Sequence, residues 1–356
     1  MINCILYGAG SDLNKILPML KNEGFNPLCI ADGSPNKIGQ HLFGISVVAP
    51  EDIVKYNSKT IIITASFFDS IYEKINTILG DKTTDYKILV SPYAWLMLVN
   101  VDFNIELLSK ASNYIQAKKT EILNMYDSND KKTNEIIDYL LKTRTDNAYR
   151  FCSYNEIRGM QYIEGYFYEN ELQNIGPFTF IDVGAYIGDT YKLMKSMYKS
   201  NMVRYYAYEP SASNYKRLLD DISSLSNDNC NIEFKNYALG NTTGEINMGK
   251  AGGEFGVVND STCNSYEKIR IMKMDDDVID VVGKLVIKMD VEGAEMDVLR
   301  GGVNTIKKYR PIMAICVYHK YQDIYELPKF LINNGLKYRF ILKSGIHTHL
   351  IAFPIN

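Results

Sequence analysis

The sequence predicts an α/β fold in which two regions of alternating strands and helices are joined by a helical segment. Each region opens with a short apolar strand and a glycine turn, the first at Gly8 and the second at Gly184. Apolar runs of strand length then alternate with segments of helical periodicity, as in a doubly wound parallel sheet. At 356 residues the chain is longer than one hydrophobic core usually grows, so we expect at least two domains.

We expect the first domain at residues 1–90, a helical connector at 91–145 and a second domain at 146–356. The predicted strands of the first domain are Ile2–Tyr7, Pro27–Ala31, Ile45–Val48 and Thr60–Ala65. In the connector, two stretches with apolar residues at near-helical spacing are separated by the polar residues 127–130. These stretches predict two helices, and we expect a domain boundary near residue 145, after the second helix.

The second domain again alternates strands and helices, and its last two apolar runs predict a β-hairpin. The predicted strands are Phe178–Val183, Arg204–Tyr208, Ile232–Asn236, Leu285–Met289, Ile312–Val317, Tyr338–Leu342 and His349–Phe353. The predicted helices between them are Thr190–Tyr198, Ser211–Ile222 and Ala294–Leu299.

Composition and charge argue against several classes of protein. The net charge is −3 and no dense Lys/Arg run occurs, so a nucleic-acid-binding surface is not expected. The longest apolar runs, such as Pro311–Val317, fall far short of the roughly 20 residues that span a bilayer. No signal peptide is evident at the start, and the six scattered cysteines contain no Cys-x-x-Cys pair. We therefore expect a cytoplasmic protein with reduced thiols.

The glycine loop at residues 182–190 is a candidate binding site for a nucleotide-like cofactor. It follows the first strand of the second domain, at the sheet edge where open α/β folds bind ligands. The Gly-x-x-x-Gly spacing and the tyrosine at 186 fit the pyrophosphate fingerprint poorly, which favours a cofactor without phosphates, such as a sulfonium. The loop residues predicted to contact it are Asp182, Gly184, Tyr186, Gly188 and Thr190.

Two further positions suit an adenosine. Glu209 ends the second strand, where its carboxylate can accept hydrogen bonds from both ribose hydroxyls. Alternatively, Glu209 only opens the helix that follows Pro210. Asn236 and Ala238 follow the third strand and are predicted to lie at the edge of the adenine ring.

Residues 287–295 carry the densest group of charged side chains. The strand period places Lys288, Asp290 and Glu292 on one side, beside the glycine loop. Asp290 is predicted to bind substrate or the amino group of the cofactor, or to accept a proton from the substrate, while Lys288 and Glu292 are candidate substrate ligands. Alternatively, Lys288 pairs with Asp290, and Glu292 and Glu295 favour a helix N-terminus.

His319, after the next strand, is a candidate general base and substrate ligand because its pKa lies near neutrality. A structural role for this histidine stays open. His347 and His349 border the terminal turn and either reach the same cleft or face solvent. The acidic residues 275–277, which follow Met274, precede a predicted helix, and capping is favoured over metal binding. No metal site is predicted.

Taken in order, five blocks resemble the FkbM-type methyltransferase family over roughly residues 150–356. The blocks are residues 180–190, 208–210, 236–239, 274–276 and 287–295, with 299–301 and 310–311 beside them. The resemblance implies a class I methyltransferase fold, S-adenosylmethionine as cofactor and O-methylation of a hydroxyl on a sugar, nucleotide-sugar or surface-glycan intermediate. Tyr186 is ordinary in the glycine loop of this family.

The N-terminal domain resembles the nucleotide-sugar-binding domain found ahead of bacterial sugar N-acyltransferases. The residues that carry this resemblance are 6–10, 31–32, 38–39, 44–47 and 50–52. Leu13 replaces the third glycine of the dinucleotide fingerprint, although Asp32 stands where a ribose-binding acid would. A docking or dimerisation domain without ligand is the alternative, with a homo-oligomer formed through this domain or the connector.

Two other functions stay open at this point. One is a nicotinamide-dependent sugar-nucleotide enzyme acting through Gly8 and Gly10, although the third glycine is missing and residues 1–90 contain no Tyr-x-x-x-Lys pair. The other is a non-catalytic carbohydrate-binding or scaffold protein with a retained methyltransferase fold.

Overall fold

The computed structural model divides the chain into two compact units. The N-terminal unit comprises Met1–Asn113 and Tyr139–Tyr162, and the C-terminal unit comprises Tyr114–Asp138 and Ile163–Asn356. The structure describes residues 1–10, 13–65, 67–91, 105–143, 151–155, 166–167, 172, 174–223, 230–251, 254–256, 266–277, 279–343 and 348–355. The boundaries near 90 and 145 stay a prediction.

The N-terminal unit is built on a seven-stranded sheet with the order β3-β4-β2-β1-β5-β6-β7. Its strands are β1 (Ile2–Tyr7), β2 (Phe25–Ala31), β3 (His41–Leu42), β4 (Ile45–Val48), β5 (Thr60–Ile63), β6 (Lys87–Val90) and β7 (Cys152–Ser153), and its first helices are α1 (Leu13–Asn22) and α2 (Phe68–Leu79). The central strands are parallel, as the alternating pattern predicts. β7 joins β6 antiparallel from a distant part of the chain, a pairing that periodicity alone does not indicate.

The predicted connector helices are present as α3 (Ile105–Met125) and α4 (Lys131–Thr143), separated by the polar break. Within the C-terminal unit, the Tyr126 hydroxyl donates to the carbonyl of Ile324 at 2.6 Å, and the backbone N–H of Leu342 donates to the Thr133 hydroxyl at 2.8 Å. The polar side chains on this helical segment are therefore bonded to the body of the C-terminal unit.

The C-terminal unit contains a second seven-stranded sheet, of order β10-β9-β8-β15-β16-β18-β17. Its strands are β8 (Phe178–Val183), β9 (Met202–Tyr208), β10 (Asn231–Lys235), β15 (Lys284–Met289), β16 (Ile312–Cys316), β17 (Tyr338–Lys343) and β18 (His349–Pro354). The helices that flank it are α5 (Asp189–Tyr198), α6 (Ala212–Ser223), α7 (Glu295–Gly301), α8 (Val303–Tyr309) and α9 (Asp323–Asn333). The first five strands run parallel, and the terminal pair forms the predicted antiparallel hairpin.

A four-stranded sheet between β10 and β15 has no counterpart in the sequence prediction. It has the order β11-β14-β12-β13, with β11 (Ala238–Leu239), β12 (Gly244–Ala251), β13 (Glu254–Gly256) and β14 (Tyr266–Met272). β12 and β14 pair antiparallel through six residues of register. Their polar and apolar side chains alternate over short lengths, as half-buried strands do, but two glycines interrupt the pattern in β12.

One residue of the acidic run 275–277, Asp275, does cap a helix, but not one that follows the run directly. The run lies at a short 3-10 helix, and the two carboxylate oxygens of Asp275 accept hydrogen bonds from the backbone N–H groups of Asn304 and Thr305, at the start of α8. Asp277 instead accepts from the hydroxyls of Tyr208 and Tyr237. Tertiary packing thus decides which helix receives the cap.

Five cysteines in the described part of the chain are buried free thiols: Cys4, Cys29, Cys152, Cys230 and Cys316. Cys263 lies outside the described residues, as does His347. Among the helices of the described segments, none is both long enough and apolar enough to cross a membrane.

Candidate functional site

The glycine loop turns at the carboxyl end of β8 in a conformation that only glycine adopts easily. Gly184 has a φ of +80°, and its backbone N–H donates to the carbonyl oxygen of Tyr208 at 3.0 Å. A Cβ atom at this position would lie 1.9 Å from the carbonyl oxygen of Asp290. The absence of a side chain therefore lets β8, β9 and the end of β15 meet closely at this edge of the sheet.

A cavity of about 580 Å³ lies in the C-terminal unit at this edge, a volume typical of small-molecule and cofactor sites. The predicted site residues that line it are Gly184, Tyr186, Thr190, Glu209, Ala238, Lys288, Asp290 and Glu292. An apolar wall comes from Ile246, Met248, Ile269 and Ile271 of the four-stranded sheet. The structure thus brings residues from six separate segments to one cavity, with polar groups on one side and apolar groups on another.

Glu209 lies in this cavity with its carboxylate already oriented by the backbone. One carboxylate oxygen accepts from the N–H of Tyr186 and the other from the N–H of Ser211, both at 2.9 Å. Burial raises the pKa of Glu209 to about 7, although the two backbone donors favour its charged form. The side chain of Asn214 is a third hydrogen-bond partner of this carboxylate, and because a carboxylate can accept about four hydrogen bonds, Glu209 retains capacity for a ligand donor.

The third strand places Asn236 and Ala238 differently from each other. The Asn236 side-chain amide donates to the carbonyl oxygens of Glu209 and Pro210, at 2.9 and 3.3 Å, and Asn236 is not among the lining residues. Ala238, Leu239 and Gly240 do line the cavity. Asn236 therefore supports the turn that carries Glu209, while the backbone of 238–240 faces the predicted adenine position.

Two of the predicted loop contacts lie behind the cavity rather than in it. Asp182 is fully buried, lies 3.0 Å from Lys288 Nζ and accepts from the Tyr205 hydroxyl at 2.8 Å. A Cβ atom on Gly188 would lie 2.7 Å from the side chain of Ile222, so this glycine permits close packing of α5 against α6. The geometry therefore corrects the prediction of direct cofactor contact for Asp182 and Gly188 to one of support.

Lys288 is a buried cation that links the loop to the carboxylates. Besides its ion pair with Asp182, its Nζ donates to the carbonyl oxygen of Gly184 at 2.5 Å. Burial alone would lower the pKa of Lys288, but the charges of Asp182 and Asp290 outweigh burial and raise it above its usual value. Because its ammonium group is committed to the protein, Lys288 is better suited to fixing the loop than to binding substrate.

Asp290 follows β15 and receives two tyrosine hydroxyls. Tyr166 donates to its Oδ2 at 2.5 Å, and Tyr318 donates to its Oδ1 at 3.2 Å. Burial by itself would raise the pKa of Asp290, but the charges of Lys288 and His319 dominate and lower it to about 2. Asp290 is therefore ionised at neutral pH and is held in one orientation.

His319 lies next to the carboxylates with its side chain only 3% exposed. Its Nδ1 is 2.8 Å from Glu295 Oε1, and its Nε2 is 3.5 Å from both Asp290 Oδ1 and Glu292 Oε2. Burial would lower the pKa of His319, but Glu295 and then the other two carboxylates raise it to about 9. Without a ligand, the imidazole is protonated at neutral pH, a state in which it cannot accept a proton.

Glu292 and Glu295 have separate roles in this group. Glu292 has a φ of +51° and is a third exposed in the cavity, so the strand alternation predicted through it already ends at Met289. Glu295 is fully buried at the first residue of α7, where Oε1 also accepts from the N–H of Val291. Its carboxylate thus holds the turn and His319 together.

Sequence reasoning did not assign three tyrosines of the cavity to the site, Tyr166, Tyr208 and Tyr318, and left His349 open. The ring of His349 lies against that of Tyr166, with centroids 4.6 Å apart, and both line the cavity. Tyr166 stands outside any periodic element, so no local pattern marks it. Tyr318 follows β16 next to His319, and its position at the carboxyl edge was a usable signal.

In the glycine turn of the N-terminal unit, the carboxylate of Asp32 forms hydrogen bonds with the protein backbone. Asp32 accepts from the backbone N–H groups of Ala9 and Ser34, at 2.7 and 2.8 Å, and lies 3.5 Å from Lys37 Nζ. Each of these contacts fixes the turn. Asp32 therefore has a structural function here, whether or not a ribose also binds.

The parallel sheet with its antiparallel terminal hairpin, and the cavity at its carboxyl edge, define a class I methyltransferase fold for the C-terminal unit. Residues 182–340 match the methyltransferase FkbM domain, so this part of the chain is an FkbM methyltransferase domain. Residues 1–89 match the C2185-like N-terminal domain, which corrects the more specific resemblance to sugar N-acyltransferases. No curated protein matches the chain.

Solved structures similar to the chain include an FkbM methyltransferase from Methylobacillus flagellatus KT. It is 15% identical, with 99% of this chain and 90% of that chain covered and a TM-score of 0.64, which supports the shared fold. Fibrillarin from Aeropyrum pernix, solved with natively bound S-adenosyl-L-methionine, is 12% identical over 59% of this chain and 80% of its own, at a TM-score of 0.31. UDP-D-quinovosamine 4-dehydrogenase from Vibrio fischeri is 20% identical over 27% of this chain and 83% of its own, at a TM-score of 0.23.

Proposed function

We propose that this protein is an S-adenosylmethionine-dependent O-methyltransferase that acts on a hydroxyl of a sugar, nucleotide sugar or surface-glycan intermediate. The observation that carries the proposal is the position of Glu209. Its carboxylate is fixed by the glycine loop, retains acceptor capacity for a ligand and lies in a cavity of the right size. A ribose offers two adjacent hydroxyl donors, which is the chemistry such a carboxylate binds.

The cavity residues fit the other parts of this cofactor. The backbone of residues 238–240 offers hydrogen-bonding groups for an adenine edge, and Thr190 and Tyr186 lie on the loop side. Asp290 supplies a negative charge for an ammonium group. Gly184 also lines the cavity, and because it has no side chain the glycine loop can lie directly against the backbone of Asp290.

When bound, S-adenosylmethionine supplies an electrophilic methyl group on a positively charged sulfur. The protein then has to align an acceptor hydroxyl in line with that group, and alignment provides much of the rate of such a transfer. Asp290, oriented by Tyr166 and Tyr318, accepts the hydrogen bond of the hydroxyl. As the oxygen gives up electron density its proton becomes strongly acidic, so even a carboxylate with a pKa of about 2 can take it.

His319 has a positioning role in this proposal rather than the role of general base. Its protonated ring lies among the carboxylates of Asp290, Glu292 and Glu295, and its positive charge reduces the repulsion between these buried negative charges.

The buried free thiols in both units support a reducing, cytoplasmic location.

The test is methyl transfer to a panel of acceptors. The purified full chain is incubated with S-adenosylmethionine carrying a tritiated methyl group and with monosaccharides, nucleotide sugars and oligosaccharides. We expect label in at least one carbohydrate, strong loss of transfer in Asp290→Asn, and full transfer in Asp221→Asn, which changes an exposed ion pair on α6. Labelling of protein or nucleic acid alone, or of no carbohydrate while the cofactor binds, would contradict the proposed substrate class.

A further inference from the structure

Three potential metal ligands converge at the carboxyl ends of β15 and β16. Asp290 and Glu292 follow the first of these strands and His319 follows the second. One ligand atom from each residue can be chosen so that all three atoms lie within 4.8 Å of one another. We call these three residues the carboxylate-histidine cluster.

The imidazole of His319 points into this cluster without a hydrogen-bond partner for Nε2. The side chain is 97% buried, and no residue in the described segments forms a hydrogen bond with this nitrogen. A buried polar atom without a partner is costly, and such atoms usually have a function or bind something that completes them. Two carboxylate oxygens stand at the same 3.5 Å distance from Nε2, one on each partner residue.

The residues that contact the carboxylate-histidine cluster are of the kinds that hold metal ligands in place in known metal sites. The other ring nitrogen of a metal-binding histidine usually faces a carboxylate, and Glu295 Oε1 lies 2.8 Å from His319 Nδ1, at ion-pair distance but without hydrogen-bond geometry. Metal-binding carboxylates are themselves held by hydrogen bonds, and Tyr166 and Tyr318 both donate to Asp290. The ligand orientation is therefore set in advance by groups that do not face the centre.

The spacing of the ligand atoms suits a small divalent cation. Ligands about 2.1 Å from a metal and at a tetrahedral angle lie about 3.4 Å apart. The observed separations of 3.5 Å from Nε2 to each oxygen are close to that value. Glu292, a third exposed, is the side chain that can move inwards to bring the two carboxylates together.

We propose that Asp290, Glu292 and His319 bind one divalent cation of the Mn²⁺ or Zn²⁺ class, at the part of the cavity wall that Asp290 and Glu292 form. Two carboxylates and one imidazole leave coordination positions open, as in catalytic rather than structural sites. The role of the cation rests on the methyl transfer proposed above, whereas its binding does not. It would coordinate the acceptor hydroxyl and lower its pKa, so that the proton leaves to water, the oxygen bonds to the methyl carbon and the C–S electron pair returns to sulfur.

In the metal-bound protein, Asp290 acts as a ligand instead of accepting the substrate proton. The cation is neither oxidised nor reduced, so no further reactant is required. An acceptor with two neighbouring oxygens would fill two open positions, which favours vicinal hydroxyls of a sugar.

The experiment titrates Mn²⁺ into the full chain without cofactor and follows the electron paramagnetic resonance signal of free Mn²⁺. We expect one Mn²⁺ bound per chain and a higher unfolding temperature with Mn²⁺ present. Glu292→Gln, a change at a partly exposed side chain, should weaken binding by about 10-fold or more. The matched control is Asp297→Asn, which removes a carboxylate that lines the same cavity outside the cluster and should leave Mn²⁺ affinity unchanged.

Two results would overturn the proposal. One is that all added Mn²⁺ stays free, as judged by its paramagnetic resonance signal, up to about 1 mM Mn²⁺. The other is that the wild type and Glu292→Gln bind Mn²⁺ with equal affinity. S-adenosylhomocysteine is titrated into the same samples. Cofactor binding without Mn²⁺ binding removes the metal site and leaves the proposed function intact, whereas Mn²⁺ binding without cofactor binding does the reverse.

Discussion

The pH dependence of nucleoside binding follows directly from the environment of Glu209. With a pKa of about 7, its carboxylate is about 90% ionised at pH 8 and about 10% ionised at pH 6. The ionised form is the better acceptor for a ribose hydroxyl, because both its oxygens already accept backbone N–H groups and the protonated form has one acceptor position fewer. If ligand binds that form, the Kd rises about 10-fold between pH 8 and pH 6.

The assay is isothermal titration with 5′-methylthioadenosine, which carries the ribose and the adenine but no group that titrates between pH 6 and 8. Glu209→Gln is the control: its amide does not ionise and leaves one backbone donor without an acceptor, so binding should be weaker and independent of pH. A Kd for the wild type that stays constant from pH 8 to pH 6 would refute the proposed contact between Glu209 and the ribose.

The raised pKa of Glu209 also affects stability. Ligand binding is expected to be stronger at high pH, whereas the contribution of Glu209 to stability is larger at low pH. The folded protein holds the Glu209 proton up to a pH of about 7, whereas the usual value is 4.5. Between these values the folded state binds more protons than the unfolded state, so the contribution of Glu209 to stability falls as the pH rises, by up to about 3 kcal/mol. The difference in unfolding free energy between the wild type and Glu209→Gln, measured in urea at pH 5 and pH 8, should change in this direction.

Three further changes test the supports of the site. Gly184→Ala should cost about 2–4 kcal/mol in urea unfolding because its Cβ meets a backbone carbonyl, whereas Gly176→Ala, at a similar φ in open space, should cost about 1 kcal/mol; equal losses would contradict the close approach. Lys288→Met should cost about 3–5 kcal/mol in urea unfolding by leaving the buried Asp182 without its cation; an unchanged unfolding free energy would contradict the burial of this pair. Tyr166→Phe should lower turnover about 10-fold without changing the Kd of S-adenosylhomocysteine; unchanged turnover would remove this tyrosine from the site.

The strands and helices around the parallel sheets were predictable because their apolar residues follow simple periods. The terminal hairpin is an example, since two apolar runs separated by a short polar segment have few other ways to pack. The four-stranded sheet at 238–272 was missed because β11 and β13 have only two and three residues and because glycines interrupt the alternation in β12. Its pairing depends on partners distant in sequence, which no local pattern reports.

The sequence predicted which chain segments form the site more accurately than it predicted the role of each residue in it. Glu209 and Asp290 stand at strand ends, and such positions follow from topology alone. The structural roles of other residues depend on the direction and burial of their side chains. Examples are the contacts of Asp182 with Lys288, of Asn236 with the Glu209 turn and of His319 with Glu295. The same burial shifts the pKa of His319 upwards, an effect that a residue type in a sequence does not reveal.

The central claim is that the cavity of the C-terminal unit binds S-adenosylmethionine through Glu209. The most direct measurement is isothermal titration of the full chain with S-adenosylmethionine and S-adenosylhomocysteine at pH 8. The account predicts one molecule bound per chain, with affinity strongly reduced in Glu209→Gln and unchanged in Asp221→Asn. No heat of binding with either compound, or equal affinity in the wild type and Glu209→Gln, would contradict it.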